Sequence, residues 1–192
     1  MKNFFALALA LSGCAAPQPQ SPPAEYRVRF ETSKGDVVVR VVRAWAPLGA
    51  DRFRELVASG FYDGARFFRV VPNFVVQFGI AGDPVITKKW DKSEIQDDPV
   101  LQSNTRGRLT FATGGPNTRT TQLFINLKDN ARLDKSGFSA FGEVVEGMAV
   151  VDEIYSGDRE KPDQDRIEKE GNAYLLREFP KLDFIKSARI LP

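Results

Sequence analysis

The sequence predicts a mainly β fold: a closed antiparallel barrel whose ends are plugged by two α-helices. Three observations point there. Short β-branched and aromatic runs recur between turns rich in Gly, Pro, Asn and Asp. Only two stretches carry a clear helical face. No repeat or linker divides residues 25–192, and closure of many short strands removes exposed sheet edges.

The elements follow in chain order. Tyr26, Val28 and Phe30 alternate with polar residues, the period of a half-buried strand. Ser33-Lys34-Gly35-Asp36 turns into a second run, Asp36 to Val42, so the domain opens on a hairpin. Pro47 starts a helix with Phe53, Leu56 and Val57 on one face, and Gly60 stops it. Asp63-Gly64 leads into a strand from Arg66 to Val71, and Pro72-Asn73 separates it from another, Phe74 to Phe78. Residues 79–104 are polar and turn-rich and read as a long surface loop. Arg108 to Ala112 and Gln122 to Leu127 are strands around the turn Gly114-Gly115-Pro116-Asn117, and Phe138 to Val145 is a further strand. Met148, Val151, Ile154 and Tyr155 share the face of the second helix. A polar loop over 158–171 leads to a last alternating stretch ending at Ile190. Fifteen Phe suggest a core built around large rings.

Composition excludes several kinds of chemistry. With 27 basic and 25 acidic residues the net charge is +2, which leaves no footprint for nucleic acid. Clustered charges such as Asp97-Asp98 and Arg166 to Glu170 read as solvated surface. There is no His, so Ser-His-Asp, Cys-His and imidazole-base mechanisms are excluded, as are His-ligated zinc sites. The single Cys permits no intramolecular disulfide. Asp163 and Asp165 are spaced like the start of a calcium loop, but the Gly and terminal Glu of such a loop do not follow. The glycines at 114 and 115 lack the Lys-Ser/Thr ending of a phosphate loop. No metal site and no cofactor is implied.

Residues 1–24 read as an address. Lys2 supplies a positive start, and Phe4 to Leu11 is apolar but shorter than the roughly 20 residues that span a bilayer. Leu11-Ser12-Gly13-Cys14 resembles the lipobox of bacterial lipoproteins. That resemblance implies removal of residues 1–13 and attachment of diacylglycerol to the Cys14 thiol. Residues 14–24 are Pro-rich and prefer an extended geometry, which suits a tether. The chain is thus expected in a bacterial cell envelope, lipid-anchored on the periplasmic side. Ala15 replaces the Asp that often retains lipoproteins in the inner membrane, so the outer membrane is favoured. An ordinary signal peptide with a chance Cys, or a cytosolic N-terminus that happens to be apolar, is the alternative.

Three motifs then occur in order. The first is Phe67-Phe68-Arg69-Val70-Val71-Pro72-Asn73-Phe74-Val75-Val76-Gln77, followed by Gly79. The second runs from Gly107-Arg108-Leu109-Thr110-Phe111-Ala112-Thr113 through Gly114-Gly115-Pro116-Asn117-Thr118 to Thr121-Gln122-Leu123-Phe124-Ile125. The third runs from Leu133-Asp134 through Phe138 to Phe141-Gly142-Glu143-Val144 and Glu146-Gly147-Met148. Over residues 25–192 the chain resembles the cyclophilin family of peptidyl-prolyl isomerases.

The resemblance implies an eight-stranded barrel capped by two helices, acting as a monomer on proline-containing polypeptides. It makes Arg69 the catalytic residue. Phe74, Val75, Phe124 and Leu133 would line the pocket for the proline ring. Gln77 and Gln122 would bind substrate backbone, with Ala112 and Thr113 as the wall beside it. Phe138 falls near a position where many members place a His and others an aromatic ring. Arg132 stands where the best-known members have a Trp, which implies weak sensitivity to cyclosporin. Thr113 replaces a commoner Asn and Leu123 a commoner Phe.

Those residue types suit the reaction. The peptide C–N bond resists rotation by about 18–20 kcal/mol. Lowering that barrier requires tighter binding of the twisted state, not a nucleophile or proton relay. Twisting localises the lone pair on the proline nitrogen, and a permanently charged guanidinium can donate to it. Taken without the motifs, Arg69 also fits a structural arginine whose stem covers the core and whose head pairs with a carboxylate. Each Phe likewise fits an ordinary core ring. Three functions stay open: an isomerase assisting the folding of exported proteins, a non-catalytic chaperone or scaffold of the same fold, and a structural envelope lipoprotein.

Overall fold

The computed structural model describes residues 22–192. The lipobox, Cys14 and most of the Pro-rich tether lie outside them. The described chain holds eight strands: β1 (Glu25–Thr32), β2 (Asp36–Val42), β3 (Arg69–Val71), β4 (Val75–Phe78), β5 (Arg108–Phe111), β6 (Leu123–Asn126), β7 (Ala140–Glu146) and β8 (Ile185–Ile190). Its helices are α1 (Pro47–Ala58), α2 (Pro84–Trp90), α3 (Met148–Asp152), α4 (Gln164–Glu170) and α5 (Asn172–Glu178). The strands form one antiparallel sheet in the order β3-β4-β6-β5-β7-β2-β1-β8.

The sheet curls but closes incompletely, which corrects the closed barrel expected from the sequence. Its edge strands, β3 and β8, share no ladder. Their approaches meet at the bridge Arg66↔Phe184, where Phe67 N–H donates to the Asp183 carbonyl at 3.0 Å, and at Gly64, whose N–H donates to the Ile185 carbonyl at 2.8 Å. The reason lies in β3, which is three residues long. The N–H of its central residue, Val70, donates to the Arg159 carbonyl of a loop at 3.1 Å instead of to β8.

Inside the curl, side-chain alternation buries Val28 and Phe30 of β1, Val39 and Val41 of β2, and Val76 and Phe78 of β4. The rings do form the centre of this core. Phe53 of α1 lies 6.0 Å from Phe30, 5.8 Å from Tyr62 and 5.2 Å from Phe141, centroid to centroid. Such aromatic pairs add about 0.5–1.5 kcal/mol beyond the area they bury.

Three helices were not visible in the sequence. The loop over 79–104 contains α2, capped by Asp83 and opened by Pro84, with no buried residue to mark a period. The polar stretch over 158–171 contains α4, whose only buried residue is Ile167, capped by the Asp163 side chain. The final stretch is α5 before it becomes β8. Tyr174 and Leu175 of α5 join Ile167, Phe68, Ile80 and Leu182 in a second small core. Helices this short carry too few apolar positions for periodicity to reveal them.

A buried ion pair ties these parts together. No side chain of α1's own caps it, because Ala46 precedes Pro47. Instead Leu48 and Gly49 donate their N–H groups to the Asp98 carboxylate at 3.0 and 2.9 Å. Both Nη atoms of Arg119 donate to the same carboxylate at 3.1 Å. The Asp98 and Arg119 side chains are 1% and 3% exposed, so Asp98 is not the solvated charge that its sequence context suggests. A carboxylate here satisfies two orphan donors and the positive end of the helix dipole. Asp98→Ala is therefore expected to destabilise the fold by about 3 kcal/mol, because it leaves the α1 donors uncapped and the buried guanidinium with only Asp97 and the Gln96 carbonyl as partners. A denaturant midpoint that moves by less than about a third of that amount would contradict this role.

Candidate active site

The strand register assembles the site. Antiparallel pairing sets Arg69 opposite Gln77, and Gln77 opposite Phe124 of β6. Alternation that sends Val76 and Phe78 inward sends Val75 and Gln77 to the outer face. Between β3 and β4 the chain turns within Pro72-Asn73-Phe74. Asn73 sits in the left-handed region at φ 58°, one of the few non-glycine residue types that tolerate it. At the far end of β4, Gly79 has φ 105°, and a Cβ there would lie 2.5 Å from the Thr121 carbonyl oxygen. Only glycine lets β4 approach the segment that carries Gln122.

A cavity of about 170 Å³ opens on this face, lined by Arg69, Phe74, Val75, Gln77, Ala112, Thr113, Phe124, Leu133 and Phe138. An adjoining depression of about 290 Å³ shares Gln77, Ala112 and Thr113 with it and adds Gln122, Gly114, Thr118, Thr120 and Gln164. The structure thus brings all the groove residues named from the sequence into one continuous groove. Phe124 and Phe138 meet edge to face at 5.6 Å, so Phe138 stands beside the pocket, ahead of β7. Thr113 directs its hydroxyl away, into the turn that follows, where it accepts from Gly115 N–H at 3.1 Å.

The polar groups form a chain along the rim. Arg69 Nη1 donates to Gln77 Oε1 at 3.0 Å, and Gln77 Nε2 donates to Gln122 Oε1 at 2.9 Å. Arg69 Nε donates to Glu160 Oε1 at 2.7 Å. The guanidinium carbon of Arg69 lies 5.7 Å from the centre of the Phe74 ring, and that of Arg132 lies 4.9 Å from it. Phe74 therefore separates a pocket-side cation from an outer one.

The family model for cyclophilin type peptidyl-prolyl cis-trans isomerase/CLD matches residues 27–172. The chain belongs to this family. It is 36% identical over 133 residues to a peptidyl-prolyl cis-trans isomerase of Acinetobacter baylyi, covering 66% of this chain and 70% of that one. It is 37% identical over 136 residues to peptidyl-prolyl cis-trans isomerase B of Escherichia coli, covering 66% and 82%. Among solved structures, a cyclophilin type isomerase of Cryptosporidium parvum superposes with a TM-score of 0.67 at 24% identity, covering 88% of this chain and 98% of that one. The same Cryptosporidium protein has been solved in the presence of the dipeptide Ala-Pro.

In this cyclophilin-family chain the sequence did not mark Glu160, which bonds Arg69, or Gln164, which lines the adjoining depression with Gly114, Thr118 and Thr120. Glu160 and Gln164 come from the polar stretch over 158–171, where no motif marks them. The available signal was Asp163, an N-cap residue with Asp165 in the following turn, which announces α4 and so places Gln164 at its start. Glu160 had no local signal, because its partner lies 91 positions away.

Leu133 is held in the groove by its neighbour. It lies on a 3-10 turn, Ala131–Ser136, that ends at Gly137 with φ 82°. Asp134 accepts from Ser103 Oγ at 2.5 Å, from Asn104 N–H at 2.9 Å and from Asn104 Nδ2 at 2.8 Å. Burial pushes the Asp134 carboxyl up, but the bonds from Ser103 and Asn104 outweigh it and hold the group below the usual carboxylate range. A folded value below the unfolded one, about 3.9 for Asp, makes its stabilisation complete above that pH and lost as pH falls through the lowered value. The stability difference between the parent and Asp134→Asn should be constant above about pH 5 and shrink toward pH 2. A difference that stays flat down to the acid limb would show that Asp134 does not carry this linkage.

Proposed function

We propose that Arg69 is the residue through which this chain rotates the peptide bond before proline, in segments of exported proteins. As a member of its family the chain is a peptidyl-prolyl cis-trans isomerase, an enzyme that binds proline-containing peptides. The supporting observation is a guanidinium at the lip of an apolar pocket, set through Nη1 on Gln77, which is itself set on Gln122. In this reading the proline ring enters among Phe74, Phe124 and Leu133. Gln77 and Gln122 hold the backbone on one side of the bond while the other side turns. Arg69 donates to the proline nitrogen as its lone pair localises, an interaction stronger in the twisted state than in either planar one. Uncatalysed exchange takes tens to hundreds of seconds. Bringing a roughly 100 s process to about a millisecond takes about 7 kcal/mol of selective stabilisation. One charge-assisted donor and fixation of the backbone are of that order.

Arg69 does pair with a carboxylate, as a structural arginine would. Its side chain is nevertheless a quarter exposed, and its head lines the pocket, which favours the catalytic reading. Arg69→Ala is expected to lower kcat/KM for a proline peptide by about 10²–10³-fold, while peptide binding stays within a few-fold. A protease-coupled assay reads the first and calorimetry the second. No isomerisation by the intact protein would leave the non-catalytic binding module as the reading.

The same proposal places the domain in a bacterial envelope as a monomer, on a tether from a lipidated Cys14. Its support is the lipobox-like run ending at Cys14 and the Pro-rich residues after it. Cys14→Ser is expected to release the protein from the membrane fraction and to abolish incorporation of labelled fatty acid. Membrane association that survives this change rules the anchor out.

A further inference from the structure

We infer that Glu160 is a positioning residue for the isomerisation, holding the Arg69 guanidinium so that its remaining donors face the pocket. The inference rests on the role proposed for Arg69. A guanidinium has five N–H groups. Arg69 Nε donates to Glu160 Oε1 at 2.7 Å, and Nη2 lies 2.5 Å from the same oxygen. Nη1 uses one N–H on Gln77 at 3.0 Å. One N–H on each Nη remains, enough to serve the proline nitrogen without displacing either partner. Removing Glu160 leaves the head held at Nη1 alone, free to swing on a long flexible stem. A donor that acts only as the bond twists gains from being placed beforehand, since displacement by about an ångström can lower a rate about 10²-fold.

Glu160 is itself held in place. The loop from Ser156 to Pro162 is anchored at both ends, by Tyr155 N–H on the Asp183 carboxylate at 2.8 Å and Asp163 N–H on the Tyr174 hydroxyl at 3.1 Å. Between these anchors, the Arg159 carbonyl accepts from Val70 N–H at 3.1 Å, docking the loop on the open edge of β3 beside Arg69. Arg159 adopts φ 50°, a left-handed conformation that a residue with a Cβ adopts only under constraint. The strained residue and the sheet-edge bond together deliver the next side chain, Glu160, to the guanidinium.

Folding stability does not account for the pair. The Glu160 side chain is 58% exposed, and ion pairs so exposed contribute little to stability. A merely structural pair and a positioning pair therefore differ in what they change. Glu160→Ala in the full chain is expected to lower kcat about tenfold, with KM within twofold and the melting temperature within about 2 °C. Glu160→Gln keeps an oxygen that accepts from Nε and Nη2, and should recover activity to within about threefold of the parent. Exchange of the Arg69 Nε proton with solvent, read by NMR, should be faster in Glu160→Ala and slow in the parent and in Glu160→Gln. An unchanged or raised kcat in Glu160→Ala, or a loss confined to KM, overturns the inference. If Arg69→Ala abolishes isomerisation and Glu160→Ala does not lower kcat, Glu160 alone loses its role. If Arg69→Ala leaves isomerisation intact, both readings fall.

Discussion

Asp98 stands where three segments meet that share no strand ladder. One is the start of α1, whose first N–H groups it accepts; another is its own irregular stretch between α2 and β5; the third is the turn region around Arg119. That last region carries Ala112 and Thr113 at one end and Gln122 at the other, so the carboxylate, together with Arg52 of α1 on the Thr120 carbonyl at 3.2 Å, ties the groove wall to the helix. Burying both charges is tolerable because the Asp98 carboxylate takes four N–H donors, two of them from the Nη atoms of Arg119, with Asp97 Oδ1 3.3 Å from Arg119 Nε. The pair adds to the bonds that set the wall of the groove against its floor, where Ala112 N–H donates to the Gln122 carbonyl at 2.9 Å and the Thr121 hydroxyl to the Gly79 carbonyl at 2.8 Å.

The groove depends on a division of labour between the two faces of β4. Its inward residues, Val76 and Phe78, belong to the aromatic core, and its outward residues, Val75 and Gln77, belong to the site. Rigid packing on one face therefore fixes polar groups on the other. The incomplete closure of the sheet serves the same end. Because β8 does not pair with β3, the edge beside Arg69 is open to a loop, and that loop brings a carboxylate to the guanidinium.

A site without histidine, metal ligands or a reactive thiol is chemically sparse, and the reaction tolerates that. No bond is broken and no proton need leave the enzyme. In the proposed mechanism apolar rings, two amides and one fixed cation favour a twisted amide over planar ones. The second cation beside Phe74, that of Arg132, makes the outer rim of the groove positively charged.

Much of the groove was legible in the run from Phe67 to Gln77, because local rules encode it. Pro72-Asn73 sets a turn, the turn sets the register, and period-2 alternation then assigns Val75 and Gln77 to one face. The same locality revealed the hairpin of β1 and β2 and the helix α1. Where local rules were silent, tertiary structure decided. It made helices of α2, α4 and α5, whose few buried residues leave no period to read, and it left the barrel open because the outer donor of Val70 found Arg159. It buried Asp98 against a helix start 49 positions away, and it set Glu160 on an arginine 91 positions away. Contacts at such separations depend on how the sheet curls, and no window of neighbouring residues contains that information.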